Sequence, residues 1–267
     1  MNLTLLRKYL KKSRFILLAS AVFLAGFQYM FVALSPSIGE EFTVYLDALP
    51  SAIRALLGGQ LTQMLALDGF LAIGYSHPLV LITLSAFAIA LAVRALAGEI
   101  ERRTIRLLLA RPIPRYKMLT SSAAAVIAGL IVLMIAMWVG TALGTVTVNT
   151  ETTPDLSGFA LVAINGFFLF LAIGGYAFLF SAVSVRVGQA IPLAAGLTVF
   201  LFLLNFLAQL WKPAQFLKNI SIFHYYQPQE ILNRGGLAIV DLGVLLGVAV
   251  VTFALAWFAF QRRDISV

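Results

Sequence analysis

Two histidines, His77 and His224, and eleven acidic residues are the whole stock from which this chain could build acid–base or metal chemistry. General acid–base work needs such groups converging at one depth, and a zinc site needs three or four ligands at short recurring spacings. Neither pattern is present. His77 stands alone before Pro78, and His224 sits in an aromatic stretch far away in sequence. No HExxH, GxSxG or phosphate-cradling GxxxxGK string occurs. The absence of cysteine excludes disulfides, thiolate metal ligation and cysteine nucleophiles together. Asn165, Asn205 and Gln209 lie within apolar runs, where polar side chains commonly bond one helix to another. Asp241 opens the last such run and suits the positive end of a helix dipole.

Charge is concentrated elsewhere. The stretch GEIERRTIRLLLARPIPRYK, residues 98–117, carries eight charges in twenty positions of a chain that is 61% hydrophobic and 11% charged. Glu99 and Arg103, and Arg102 and Arg106, stand at four-residue spacing, while Ile105, Leu108 and Leu109 share a face. The segment therefore reads as a short amphipathic helix, ended by Pro112 and Pro114. Tied to apolar runs on both sides, it suits transmission of a push from a soluble partner. Its glutamates argue against a loop that simply rests on anionic lipid.

The elements that position these residues are membrane spans. Mean hydropathy is +0.97, too apolar for a soluble globule of this size. Runs long enough to cross about 30 Å of hydrocarbon occupy roughly 15–34, 69–96, 119–144, 158–185, 190–210 and 239–260. The expected fold is an all-α polytopic membrane protein, a single domain over 1–267 with six transmembrane helices. Ten-residue alternating segments, the signature of a membrane barrel, are absent. Residues 1–14 place Leu3, Leu6 and Leu10 among basic residues and read as an interfacial helix. The first run is too long for the core of a signal peptide and is read as an uncleaved span. All of the 19 basic residues except Arg54, Lys212, Lys218 and Arg234 fall at the N-terminus, in 94–117, at Arg186 or at the C-terminal end. Basic residues are retained in the cytoplasm, so both termini and the 98–117 loop are expected there. Connections 35–68, 145–157 and 211–238 then face outward, with a short apolar helix expected between Ala52 and Leu57. In the last of them, Trp211, Phe223, Tyr225 and Tyr226 suit an interfacial aromatic belt. The GTALG string at 140–144 matches GxxxG, a match of little weight in a chain this rich in glycine and alanine. The formal charge of +8 reflects topology and attraction to anionic lipid, not nucleic acid.

The 98–117 pattern, the late FHYYQPQEILNRGG and the ending FQRRDISV together resemble the permease subunits of ABC-2 family ATP-binding-cassette transporters, over essentially the whole chain. The resemblance implies two permease copies, as a homodimer, docked on two separate ATPase subunits. Those partners would hold ATP and Mg, and this chain would bind no cofactor and be no enzyme itself. It also implies that the 98–117 helix is a cytoplasmic coupling helix, with Glu99, Glu101, Arg102, Arg103 and Arg106 meeting the ATPase. Substrate would pass between spans two and five, which nominates Phe200, Phe202, Asn205 and Gln209 as pathway residues. The expected function is ATP-driven export of an amphipathic or lipid-like substrate. An alternative is a membrane component that turns ATPase work into signalling or assembly. A secondary transporter lacks the mid-membrane ionisable groups that coupling would need.

Overall fold

A computed structural model describes residues 3–48, 67–101, 114–148 and 153–263. Among these residues, six helices are long and apolar enough to cross a membrane, and no strand occurs. The protein is an all-α, multi-pass membrane protein. In chain order it comprises α1 (Leu3–Ala48), α2 (Leu67–Ser76), α3 (Pro78–Glu101), α4 (Arg115–Thr147), α5 (Leu156–Val183) and α6 (Val187–Leu210). Two 3-10 segments follow (Lys212–Ile220 and Ile222–Tyr225), then α7 (Pro228–Arg234) and α8 (Ile239–Arg262). The apolar helix expected between Ala52 and Leu57 lies outside the described residues.

The N-terminal segment and the first span form one helix. An uninterrupted stripe of Leu5, Tyr9, Ser13, Leu24, Gln28 and Val32 is buried, with Leu17 and Ala21 packed between. This spacing of three or four residues holds a single face against the bundle from Leu5 to Val32. The helix also passes Pro36, although proline removes the N–H that would bond the carbonyl four residues earlier. That carbonyl belongs to Val32, and the Ser35 hydroxyl donates to it at 2.8 Å. A local side-chain bond thus fills the gap in the ladder. At 46 residues and 1.5 Å per residue, α1 is about 69 Å long, more than twice the hydrocarbon thickness.

The run expected as one span over 69–96 is two helices, because Pro78 fixes its own backbone and drives His77 out of helical geometry. Pro78 becomes the first residue of α3, a position that tolerates its missing donor. The carbonyl of His77 accepts from the N–H groups of Val80 and Leu81 at 2.9 and 3.1 Å, so the new helix begins capped.

α5 is the inner helix. It is apolar all round, as a helix surrounded by neighbours should be, and it contacts α3, α4, α6 and α8. Its buried residues run from Phe159 through Phe170 and Tyr176 to Ser181. The tightest approach is between α1 and α4, through the glycines of GTALG. A Cβ on Gly140 would run into the Ala25 carbonyl, and one on Gly144 would sit 2.6 Å from Val32 Cβ. Small residues that let backbones meet are a principal means of association between membrane helices, so this GxxxG string marks a real packing seam.

Lys8, Lys12, Glu99, Glu101, Arg186 and Arg263 gather at one end of the bundle, hereafter the basic end. At the opposite end the 211–234 segment folds inward. Phe223 and Tyr226 are buried while Trp211 is exposed, so only part of the expected aromatic belt faces outward. Tyr226 Oη donates to the Tyr75 carbonyl at 3.1 Å, and Asn165 Nδ2 donates to the Tyr225 carbonyl at 3.1 Å. These bonds tie the segment to α2 and α5, and Gly235, at φ 67°, closes α7 as a left-handed cap.

Candidate functional site

The last turn of α3 carries two carboxylates, and each serves a different neighbour. Glu99 is 2% exposed. Lys8 Nζ donates to its two oxygens at 3.1 and 3.2 Å, and Lys12 Nζ lies 3.6 Å from Oε1. Lys8 and Lys12 share a face because four residues make just over one turn. A carboxylate this buried requires paired charge, which α1 supplies. Glu101 turns the other way. Its Oε2 accepts from the Val187 N–H at 2.8 Å, satisfying one of the unpaired donors at the start of α6 and placing negative charge at the positive end of that helix. The end of α3 is thereby bound to α1 by ion pairs and to α6 by a charge-assisted bond.

α3 is also joined to α5. Ser181 Oγ donates to the Val93 carbonyl and accepts from the Ala97 N–H, both at 3.0 Å. The hydroxyl thus stands between two backbone groups one turn apart. The far end of α5 is closed by Arg263, whose Nη1 donates to the carbonyls of Ala182 at 2.7 Å and Ser184 at 2.9 Å. Partial burial lowers the Arg263 pKa from its ordinary value. Terminal arginines are expected as topology signals, but this one caps a helix.

Of the five residues expected to meet an ATPase, the structure places Glu99 and Glu101 within this hub. Arg102, Arg103 and Arg106 lie outside the described residues. Nothing in the sequence pairs Glu99 with Lys8, 91 positions away, so the ion pair could not be read from spacing.

A cleft of about 640 Å³ opens at the opposite end. It lies where the end of α6 meets the 3-10 segments, α7 and the α2–α3 break. Phe202, Asn205 and Gln209 line it together with Phe223, His224 and Gln227. Phe200 does not, and it is 56% exposed on another side of α6. Positions 202, 205 and 209 recur every three or four residues and share a face, whereas 200 is displaced by two residues, just over half a turn. Asn205 Oδ1 is buried and has no hydrogen-bond partner among the described residues. Burial lowers the His224 pKa from its ordinary 6.5, and nearby Lys218 adds to the effect. The lining mixes aromatic faces and neutral amides with one cation, Lys218, and one carboxylate, Glu230, so it can bind by stacking, hydrogen bonding and charge. Among the described residues no group of three or more histidines or carboxylates could hold a metal.

Comparison with curated proteins gives no match. The sequence profile described as ABC-2 family transporter protein matches residues 6–265. That match spans every described helix apart from the first turn of α1, and together with the six apolar spans it identifies the chain as belonging to the ABC-2 family, a membrane component of an ABC transporter.

Proposed function

We propose that the basic end is cytoplasmic and that the chain is the permease subunit of an ATP-driven exporter. It works as two copies with two separate ATPase subunits, which hold the ATP and Mg. The observation that carries this reading is the division of labour in the last turn of α3, where Glu99 binds α1 and Glu101 binds the first turn of α6. A push delivered to residues 102–113 would reach α3 directly, α1 through Lys8 and Lys12, and α6 through Val187. Arg102, Arg103 and Arg106 are the proposed contacts to the ATPase, and Glu99 and Glu101 pass the movement on.

α6 then carries the movement to the cleft. Its 24 residues span about 36 Å, from Val187 at the hub to Asn205 and Gln209 at the far end. Pro192 removes the bond that the Gly188 carbonyl would accept, giving the helix a pivot close to where it is pulled. Tilting α6 would change the cleft, whose aromatic and amide walls support an amphipathic or lipid-like cargo. All covalent chemistry belongs to the partner ATPase.

The test is Glu101→Ala in proteoliposomes holding the permease and its ATPase, with a fluorescent amphipathic probe as cargo. We expect ATP hydrolysis to continue while probe-stimulated hydrolysis and probe movement fall about tenfold, the effect of losing ~1.4 kcal/mol of coupling. Undiminished movement overturns the reading. Stimulated hydrolysis with no probe movement, in the native protein, favours a component that drives signalling or assembly instead.

A further inference from the structure

A second cleft lies at the basic end, between α1 and α3. It is lined by Tyr9, Lys12 and Arg94 together with Ile16, Phe87 and Leu91. The first three are polar and the last three apolar. Arg94 stands seven residues, or about 10 Å, before the end of α3, so the cleft spans the depth where a lipid headgroup gives way to its chains. Its room is about 30 Å³. A water-sized group needs about 10–15 Å³, so two oxygens fit, but not a whole headgroup.

Two groups in this cleft are left without partners among the described residues. Tyr9 is 3% exposed and its hydroxyl makes no hydrogen bond among the described residues, although a buried phenol normally finds a partner. The neighbouring Ser13 hydroxyl is turned to the carbonyls of Tyr9 and Leu10, and no bond joins it to the Tyr9 hydroxyl. Arg94 is exposed on a membrane-spanning helix and forms no ion pair among the described residues. A guanidinium at that depth requires an anion or a route to the interface. Lys12 faces Glu99 at 3.6 Å and, as an ammonium, has further protons to donate.

We propose that this cleft is a binding site for one anionic phospholipid of the leaflet at the basic end. The phosphate accepts from the Tyr9 hydroxyl and lies between Lys12 and Arg94, and the acyl chains descend over Ile16 and Leu91, with the buried Phe87 ring behind them. Lys8 and Lys12 pair with the one carboxylate of Glu99 and Arg94 adds a third cation to the cleft lining, so among the described residues positive charge is in surplus for the headgroup. The apolar lower wall distinguishes a lipid from a free anion. A lipid bound here touches both helices that the Glu99 ion pairs join, and it is independent of cargo and of the ATPase.

The experiment is native mass spectrometry of the delipidated full-length chain, titrated with phosphatidylglycerol, phosphatidylcholine or inorganic phosphate. One phosphatidylglycerol is expected to bind in preference to phosphatidylcholine. Arg94→Gln and Lys12→Gln should each weaken that first binding event about tenfold, the effect of losing one charge-assisted hydrogen bond. Tyr9→Phe should weaken it by a smaller factor, and Arg14→Gln should leave it unchanged. Equal binding of the two lipids, or full binding by Arg94→Gln and Tyr9→Phe, overturns the proposal. So does an equal loss in Arg14→Gln, which indicates diffuse surface charge. Displacement of the lipid by millimolar inorganic phosphate overturns it in favour of a free-anion site. If Arg94→Gln fails to fold, Lys12→Gln and Tyr9→Phe decide the matter alone.

Discussion

The two ends of the bundle are held by different chemistry. At the basic end α3 is joined to α1 and α6 by carboxylates meeting lysines or a helix start. At the opposite end most joints are neutral: Tyr226 to Tyr75, Tyr75 Oη to Thr141 Oγ1 at 2.9 Å, Asn165 to Tyr225, and Trp138 Nε1 to the Leu156 carbonyl at 2.9 Å, beside one carboxylate joint in which Asp68 accepts from the Asp155 N–H at 3.2 Å. Charged joints act over distance and respond to nearby charge and ionic strength. Neutral ones depend on shape and fail when geometry changes. In the reading proposed above, an end that answers a charged soluble partner needs the first kind, and an end that keeps a cleft in shape needs the second.

Four perturbations break or sharpen this contrast. The largest effect is expected at the neutral end, where Gly140→Ile forces a branched side chain against the Ala25 backbone. Helix separation or repacking should cost about 3 kcal/mol or more, read as a large loss of thermal stability in detergent. Glu99→Gln comes next, at about 1–3 kcal/mol. Its carboxylate is buried but its lysines are 40% and 39% exposed, so the effect falls between the exposed and fully buried limits. Stability of the native protein should also drop between 0.1 and 1 M salt, as the screening length shortens from about 10 to 3 Å. That drop should disappear in Glu99→Gln, and its persistence would place the salt-sensitive joint elsewhere. Tyr226→Phe removes one neutral hydrogen bond and should cost about 1 kcal/mol with no change in salt response.

The smallest effect is pH-dependent. His224 has a pKa lowered from 6.5 by burial and Lys218, against the opposing influence of Asp241 and Glu230. The folded state therefore binds the proton less readily than the unfolded state, and stability declines as pH falls through about 6.5 toward the lower folded value. Above 6.5 the imidazole is neutral in both states and the effect vanishes. His224→Gln should flatten this part of the stability profile, and an unchanged slope assigns it to another group.

Much of this architecture was legible in the sequence because hydrocarbon thickness is a strict ruler. The runs beginning near 119, 158, 190 and 239 correspond to α4, α5, α6 and α8 within a few residues. The junctions were less legible. Pro36 signals a break, but Ser35 repairs the ladder one residue away; Pro78 lies inside an apolar run, but nothing repairs His77 as a helical residue. The polar groups of span five were visible as exceptions to an apolar background, and helical spacing explains why Phe202, Asn205 and Gln209 converge while Phe200 does not. The Glu99 ion pairs were invisible, since they depend on how α1 lies along α3. The significance of Gly140 and Gly144 was likewise hidden, because a small-residue motif acquires meaning only from what packs on it.

The Ser181 hydroxyl has a kinematic consequence. Lodged between two backbone groups of α3, it works like a tooth in a rack, and sliding α3 along α5 by even one residue would disengage it. Translation along the axis is therefore opposed near the hub by the loss of both bonds, which favours rocking of α3 about that point. A thrust at one end of such a lever emerges at the other as a sideways swing.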